Sequence, residues 1–317
     1  MDSEKKDHDE AQSLPTSKPS LKMKSRYGST VGRNRVQTNE TQFARNSNGK
    51  SILNKIPDMT NSLANTKIDT STRARLVNWK IEVLIALEGR LDMAQLFKSM
   101  QLTDMYTKHK QAILEDENLH LIGVVCLFIA SKYETNNHIT LHELVHKACH
   151  NKFTEDQFLS MEFEVVKTFA FMIGYPTNQD ILGYFFNKMF EIKKSSTFRN
   201  LQLISHKLLV ACLMEVQFNN FAGDEFCLAV MLVSVKHYFE LKFNALKDSY
   251  DMKKVERILR EERKMTEKIK EFSRNRSNLE NLFMIIQQYL EELEVRYDEC
   301  TFVLKLLQSE GDKFSIN

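Results

Sequence analysis

Little in this sequence turns a chain sharply. Its 317 residues include only 9 Gly and 4 Pro, too few for a fold of tight hairpins, which draw on such residues at every reversal. The five cysteines (Cys126, Cys149, Cys212, Cys227, Cys300) are scattered, odd in number and without a C-x-x-C pair. That excludes a disulfide framework and predicts reduced thiols in an intracellular protein. The longest apolar run, residues 121–130, falls short of the about 20 residues a bilayer span takes. With an acidic, polar opening, no secretory signal is expected. Net charge is only +2, so no global pull toward nucleic acid is expected. These absences predict a soluble protein with neither nucleic acid nor membrane as partner.

What is present suits helices. Apolar residues make up 42% and charged residues 27%, enough for a sizeable core. Residues 1–55 stand apart: polar, with Tyr27 and Phe43 the only aromatics, and with nine basic residues against one acid, Glu40, from Lys18 to Lys55. Such a segment cannot bury enough apolar surface to offset its chain entropy and is expected to be a disordered tail. From Arg73 onward Leu76, Trp79, Ile81, Val83, Leu84 and Leu87 recur at three- and four-residue intervals, the mark of an amphipathic helix. Residues 119–133 are apolar almost all round, as in a helix buried among others. Phe158, Met161, Val165, Val166 and Phe169 mark another helix. About a hundred residues after Cys126-Leu127 and the Ala130 to Tyr133 stretch comes a weak echo, Cys227-Leu228 and then Ser234 to Tyr238. It suggests two similar helical bundles. Residues 251–277 carry a thin stripe of Met252, Val255, Leu259, Met265, Ile269 and Phe272 among dense charge, read as an exposed helical insertion steadied by i,i+4 pairs.

Four separated segments, in one order, are similar to cyclins. Arg73-Ala74-Arg75-Leu76-Val77-Asn78-Trp79 with Glu82-Val83 resembles the opening helix of a cyclin box. Leu119-His120-Leu121-Ile122-Gly123, running into Ile129-Ala130-Ser131-Lys132-Tyr133-Glu134, resembles its central third helix. Met161-Glu162 and Phe171, then Pro176-Thr177 with Phe185-Phe186, follow at matching spacings. The resemblance is nearest to the A- and B-type mitotic cyclins, and covers residues 56–190 well and 191–250 loosely. It implies an all-α fold of two consecutive five-helix bundles: a cyclin box over 56–173 and a second cyclin-like domain over 174–317. It also implies a regulatory subunit without catalytic residues, metal or cofactor, present in nucleus and cytoplasm, whose partner is a cyclin-dependent protein kinase. Substrate or inhibitor proteins are candidate further partners.

The resemblance assigns kinase contacts to Lys132 and Glu162, a charged pair that can meet backbone amides and carbonyls without stranding a charge. Ile129, Val166 and Phe171 fall where cyclins present apolar contacts. It also implies a groove for Arg-x-Leu substrates, of which Leu76, Trp79 and Glu82 keep their places. There the usual Met is Thr72, the usual Ile is Arg75 and the usual Gln is His120, so docking by this route is expected to be weak. Asp104-Met105 stands for the Asp-Arg that follows the family's second helix. No Arg-x-x-Leu destruction signal lies within residues 1–55, and no Ser-Pro or Thr-Pro site occurs in the chain.

Two alternatives come from the residues themselves. His142-Glu143-Leu144-Val145-His146 is a formal H-E-x-x-H, the zinc-hydrolase signature of two i,i+4 ligands and a base. The third ligand that such a site needs is not evident, and Lys147-Ala148-Cys149 replaces the extended pattern. Leu141, Leu144, Val145 and Ala148 give this stretch an ordinary packing face, so surface histidines are expected. A cyclin-fold transcription module would carry its basic face on the folded domain, whereas the basic excess here lies in the tail.

Overall fold

The periodic stretches fold as helices. The computed structural model describes residues 57–64, 66–110, 116–189, 196–246, 251–273, 277–297, 299–308 and 314–315. The tail over 1–55 lies outside the described residues.

Helix α1 (Thr70–Glu88) buries Ala74, Val77, Ile81 and Leu84, the three- and four-residue spacing that puts them on one face. It ends where Gly89, at φ +74°, donates its N–H to the Ile85 carbonyl at 3.0 Å, a left-handed cap that glycine adopts without a Cβ clash. Helices α2 (Met93–Lys110) and α3 (Asp116–Glu134) follow. α3 is the axis of the first bundle: Ile122 and every residue from Val124 to Ala130 are buried, and α1, α2 and α4 (Glu155–Thr168) pack around it. A Cβ on Gly123 would come within 2.6 Å of Leu76, so glycine sets how closely α1 and α3 approach. Between α3 and α4 a π-helical turn, Glu143–Ala148, tucks Leu144 and Val145 into the core.

The second bundle repeats the plan. Helix α7 (Gly223–Asn244) is its axis, ringed by α5 (Asn178–Met189), α6 (Ser196–Leu213), α8 (Met252–Phe272) and α9 (Leu279–Arg296). A 3-10 turn, Val216–Asn220, joins α6 to α7. Helix α10 (Thr301–Gln308) returns to pack on α1 and α6. The two short strands among the described residues, β1 (Leu91–Asp92) and β2 (Phe314–Ser315), pair in parallel. The fold is all-α, as expected, with two helical bundles in series.

Two expectations change. Residues 252–272 are a wall of the second bundle rather than a solvated insertion: Ile258 and Ile269 are 8% and 0% exposed, each burial stabilising by about 1.5–3 kcal/mol. The buried stripe runs through Ile258, and Leu259 faces outward at 38% exposure. Asp104 does not follow the second helix but lies inside α2, buried against Arg73 of α1.

Candidate functional site

The C-terminal end of α3 and the outer face of α4 form one surface. α4 starts at a capping box, in which Thr154 accepts from the Gln157 N–H and the Gln157 side chain accepts from the Thr154 N–H. That start orients Phe158 and Val165 inward, at 0% exposure each. Glu162 then meets Lys132, whose Nζ donates to Glu162 Oε1. The pair is partly screened, with side chains 36% and 19% exposed. Phe128, one turn before Lys132, places its ring 4.0 Å from the ammonium, a cation–π contact that steadies the long side chain.

Helix α4 and the turn that follows it also carry exposed apolar side chains. Leu159 and Phe163, at i and i+4 on α4, are 49% and 61% exposed, and Phe171 and Met172 are 68% and 62% exposed. The turn after α4 delivers the last two. Ala170 and Phe171 take positive φ of 48° and 63°, and the Phe171 N–H folds back to the Val166 carbonyl at 3.0 Å. Of the apolar contacts expected from sequence, Phe171 stands out in solvent, Val166 packs half-buried against the core, and Ile129 is 3% exposed within it. Leu159, Phe163 and Met172 were not anticipated. Their signal was present: α4 is apolar on two sides, Phe158 and Val165 on one, Leu159 and Phe163 on the other.

A second feature lies between α1 and the start of α3. Thr72, Arg75, Leu76, Trp79, Leu119 and His120 line a groove of about 180 Å³. The Trp79 and His120 rings meet edge to face at 5.1 Å, and His120 meets Phe153 likewise at 5.3 Å. Arg75 donates to Thr72 Oγ1 at 2.9 Å and lies 3.8 Å from Glu299. Burial, and then the Lys152 ammonium nearby, hold His120 below the usual histidine range. Glu82 is exposed. Of the residues chosen from sequence, Arg75, Leu76, Trp79 and His120 thus come together in the groove, and Glu82 is not among its lining.

The H-E-x-x-H residues do other work. The His142 and His146 rings lie 4.4 Å apart, and His146 Nδ1 meets the side-chain oxygen of Asn151. Glu143 accepts from the Thr140 N–H and hydroxyl and from Lys147 at 3.0 Å. Those bonds, Lys147 first, hold its carboxyl below the usual range, as suits a cap rather than a general base. Among the described residues no group of three or more His, Cys, Asp or Glu is placed to hold a metal. Nor is any described helix long and apolar enough to cross a membrane.

Comparison with known proteins agrees with this architecture. Residues 43–174 match the family model described as the cyclin N-terminal domain. This stretch is a cyclin N-terminal domain. It stands close to the A and B types. The chain is 36% identical over 118 residues to Cyclin-A1-4 of Oryza sativa subsp. japonica, a match covering 37% of this chain and 32% of that protein. It is 30% identical over 168 residues to the G2/mitotic-specific cyclin-A of Hydra viridissima, covering 52% and 38%. The chain thus spans well under half the length of these relatives. Among solved structures it resembles a viral cyclin from herpesvirus saimiri, with a TM-score of 0.50 at 16% identity, over 82% of this chain and 93% of that one. That likeness bears on the fold alone.

Proposed function

We propose that this chain is the non-enzymatic regulatory subunit of a cyclin-dependent serine/threonine protein kinase, which it binds and activates. The observation that carries the reading is the Lys132–Glu162 pair, together with the exposed Leu159 and Phe163 of the same helix and Phe171 and Met172 of the turn after it. A paired cation and anion beside exposed apolar side chains offers a partner specific polar contacts without an uncompensated charge. Ile129 supports the face from beneath, and Val166 lies at its edge.

Activation follows from how kinases switch. An active kinase needs the ion pair between its strand Lys and the Glu of its mobile helix, together with an open activation loop. A subunit that grips that helix only in its active position shifts the equilibrium by its differential affinity for the two states. The test mixes the purified chain with purified cyclin-dependent kinase catalytic subunits in turn, measuring complex formation and peptide phosphorylation. At least one should bind and be accelerated. Absence of binding and activation across the panel would sink the proposal.

A further inference from the structure

We infer that the cavity ringed by α6, α7, α9 and α10 is a docking site for a basic amphipathic helix of a partner protein. The docked helix seats apolar side chains in the cavity and sets Lys or Arg beside Glu240 and Glu291. None of the lining comes from α3 or α4, so the inference goes beyond kinase binding and uses other residues.

The size of the cavity sets the length of its occupant. At about 730 Å³ it has room for roughly 24 waters at ~30 Å³ each, which is several side chains rather than one. Its lining runs from Val233 to Leu241 on α7 and from Gln287 to Val295 on α9, about 12 Å along each helix at 1.5 Å per residue. A docked helix with apolar residues at i, i+4 and i+7 spans about 10.5 Å by the same rise and fits that length. Ile204, Leu208, Leu290, Leu304 and Leu307 line the cavity half-buried, and Val233 lines it from within the core. Leu241 and Val295, which end the two runs, are 52% and 87% exposed. Apolar surface left open around a concavity in this way marks a binding site.

The polar groups set the charge of the partner. Among the described residues that line the cavity, Lys207 is the one lysine or arginine. Its ammonium donates to the Leu307 carbonyl at 3.0 Å, so that charge is turned to the chain's own backbone at the end of α10. The carboxylates are Glu240 of α7 and Glu291 of α9, both exposed. Lys236 lies 3.9 Å from Glu240, a half-exposed, loose pair with which a ligand cation can compete. A ligand Lys or Arg near these carboxylates is attracted by both, whereas a ligand Asp or Glu meets two like charges.

The test uses the full chain and fluorescence anisotropy with three labelled helical peptides. Each carries Leu at i, i+4 and i+7, with Lys, Gln or Glu at the flanking positions. At low salt the Lys peptide should bind about fivefold tighter than the Gln peptide and the Glu peptide about fivefold weaker, gaps that narrow as salt screens them. Glu240→Lys combined with Glu291→Lys, both at exposed positions, should reverse the order. Leu241→Arg should weaken the Lys peptide at least about tenfold, as should Leu→Ser at all three peptide positions. Lys132→Ala and Glu162→Ala should leave peptide binding unchanged, so this inference and the kinase reading can fail separately. The inference is overturned if the Glu peptide binds tightest, if none of the three binds, or if the double Lys variant leaves the order unchanged. Parent-like affinity after Leu241→Arg overturns it by placing the contact elsewhere. Persistence of binding after Leu→Ser overturns it as loose ionic attraction only. A chain that alone sediments as a dimer, which Leu241→Arg dissolves, overturns it in favour of a second copy in the cavity.

Discussion

The N–H of Phe171 donates to the carbonyl oxygen of Val166 at 3.0 Å while Phe171 itself stands at φ +63°. A left-handed residue other than glycine costs about 1–2 kcal/mol, and this one recovers little by burial, since its ring is 68% exposed. Strain held at an exposed aromatic is what a binding residue shows. Phe171→Gly removes the Cβ clash and the ring together. The folded chain should be unchanged or up to about 1 kcal/mol more stable in thermal melts, while kinase affinity falls at least about tenfold, as for an interfacial aromatic anchor. Unchanged affinity would place Phe171 outside the interface.

Lys132→Ala and Glu162→Ala should each leave stability within about 1 kcal/mol, because the pair is partly exposed. In the kinase complex the surviving partner would be desolvated alone, costing about 2–5 kcal/mol of affinity. Calorimetric titration of both variants against the kinase checks this. Parent-like affinity in two well-folded variants would refute the central role of the pair.

Arg73 and Asp104 are a structural pair of another kind. Arg73 donates to both Asp104 oxygens, at 2.9 and 2.7 Å, and to the Leu213 carbonyl at 2.7 Å, so one guanidinium ties α1 to α2 and to the end of α6. Both side chains are almost fully buried, at 1% and 3% exposure. Asp104→Ala strands a buried cation and should cost about 3–5 kcal/mol. Asp104→Leu combined with Arg73→Met should cost less than Asp104→Ala alone. Urea denaturation separates the two cases; equal losses would mean that the charge pair is not the dominant contribution there.

Glu134 gives the protein a pH signature. Burial first, helped by Asp180 and Asp92 and opposed by Lys98, pushes its carboxyl up to about 7. Between about pH 4.5 and 7 the folded chain keeps a proton that the unfolded chain has lost, so this group's contribution to stability falls as pH rises through that window. At roughly 1.4 kcal/mol per unit the loss reaches at most about 3 kcal/mol. Glu134→Gln keeps the neutral shape. Its stability advantage over the parent should therefore be larger at about pH 8 than at about pH 5, as read by urea unfolding. A constant difference would contradict the assignment.

The helical architecture was legible because apolar spacing is a local property. Ala74, Val77 and Ile81 announce a helix whatever lies elsewhere. Lys132 and Glu162 were legible only through resemblance, since thirty residues separate them and no local rule pairs them. Phe163 and Leu159 escaped notice because an apolar i,i+4 pair reads as a core face unless the other face is known to be fuller. The seating of residues 252–272 is hidden for the converse reason. Dense charge around a thin apolar stripe points to an exposed helix, yet Ile258 and Ile269 are buried where it packs against α7. Arg73 was matched as part of a motif, but its buried bonds to Asp104 and Leu213 needed three-dimensional placement.

Asn78 Oδ1 of α1 accepts from the N–H of Val303 at the start of α10, 225 residues away. During translation, at about 5–20 residues per second, roughly ten to fifty seconds separate the emergence of these two partners. Through that interval the α1 surface that α10 covers stays open to chaperones, or to premature contact with neighbouring chains. The first bundle therefore reaches its finished surface only after the second has been made. Ribosome-bound chains halted before Thr301 should accordingly be more protease-sensitive around α1 than chains halted well beyond residue 308.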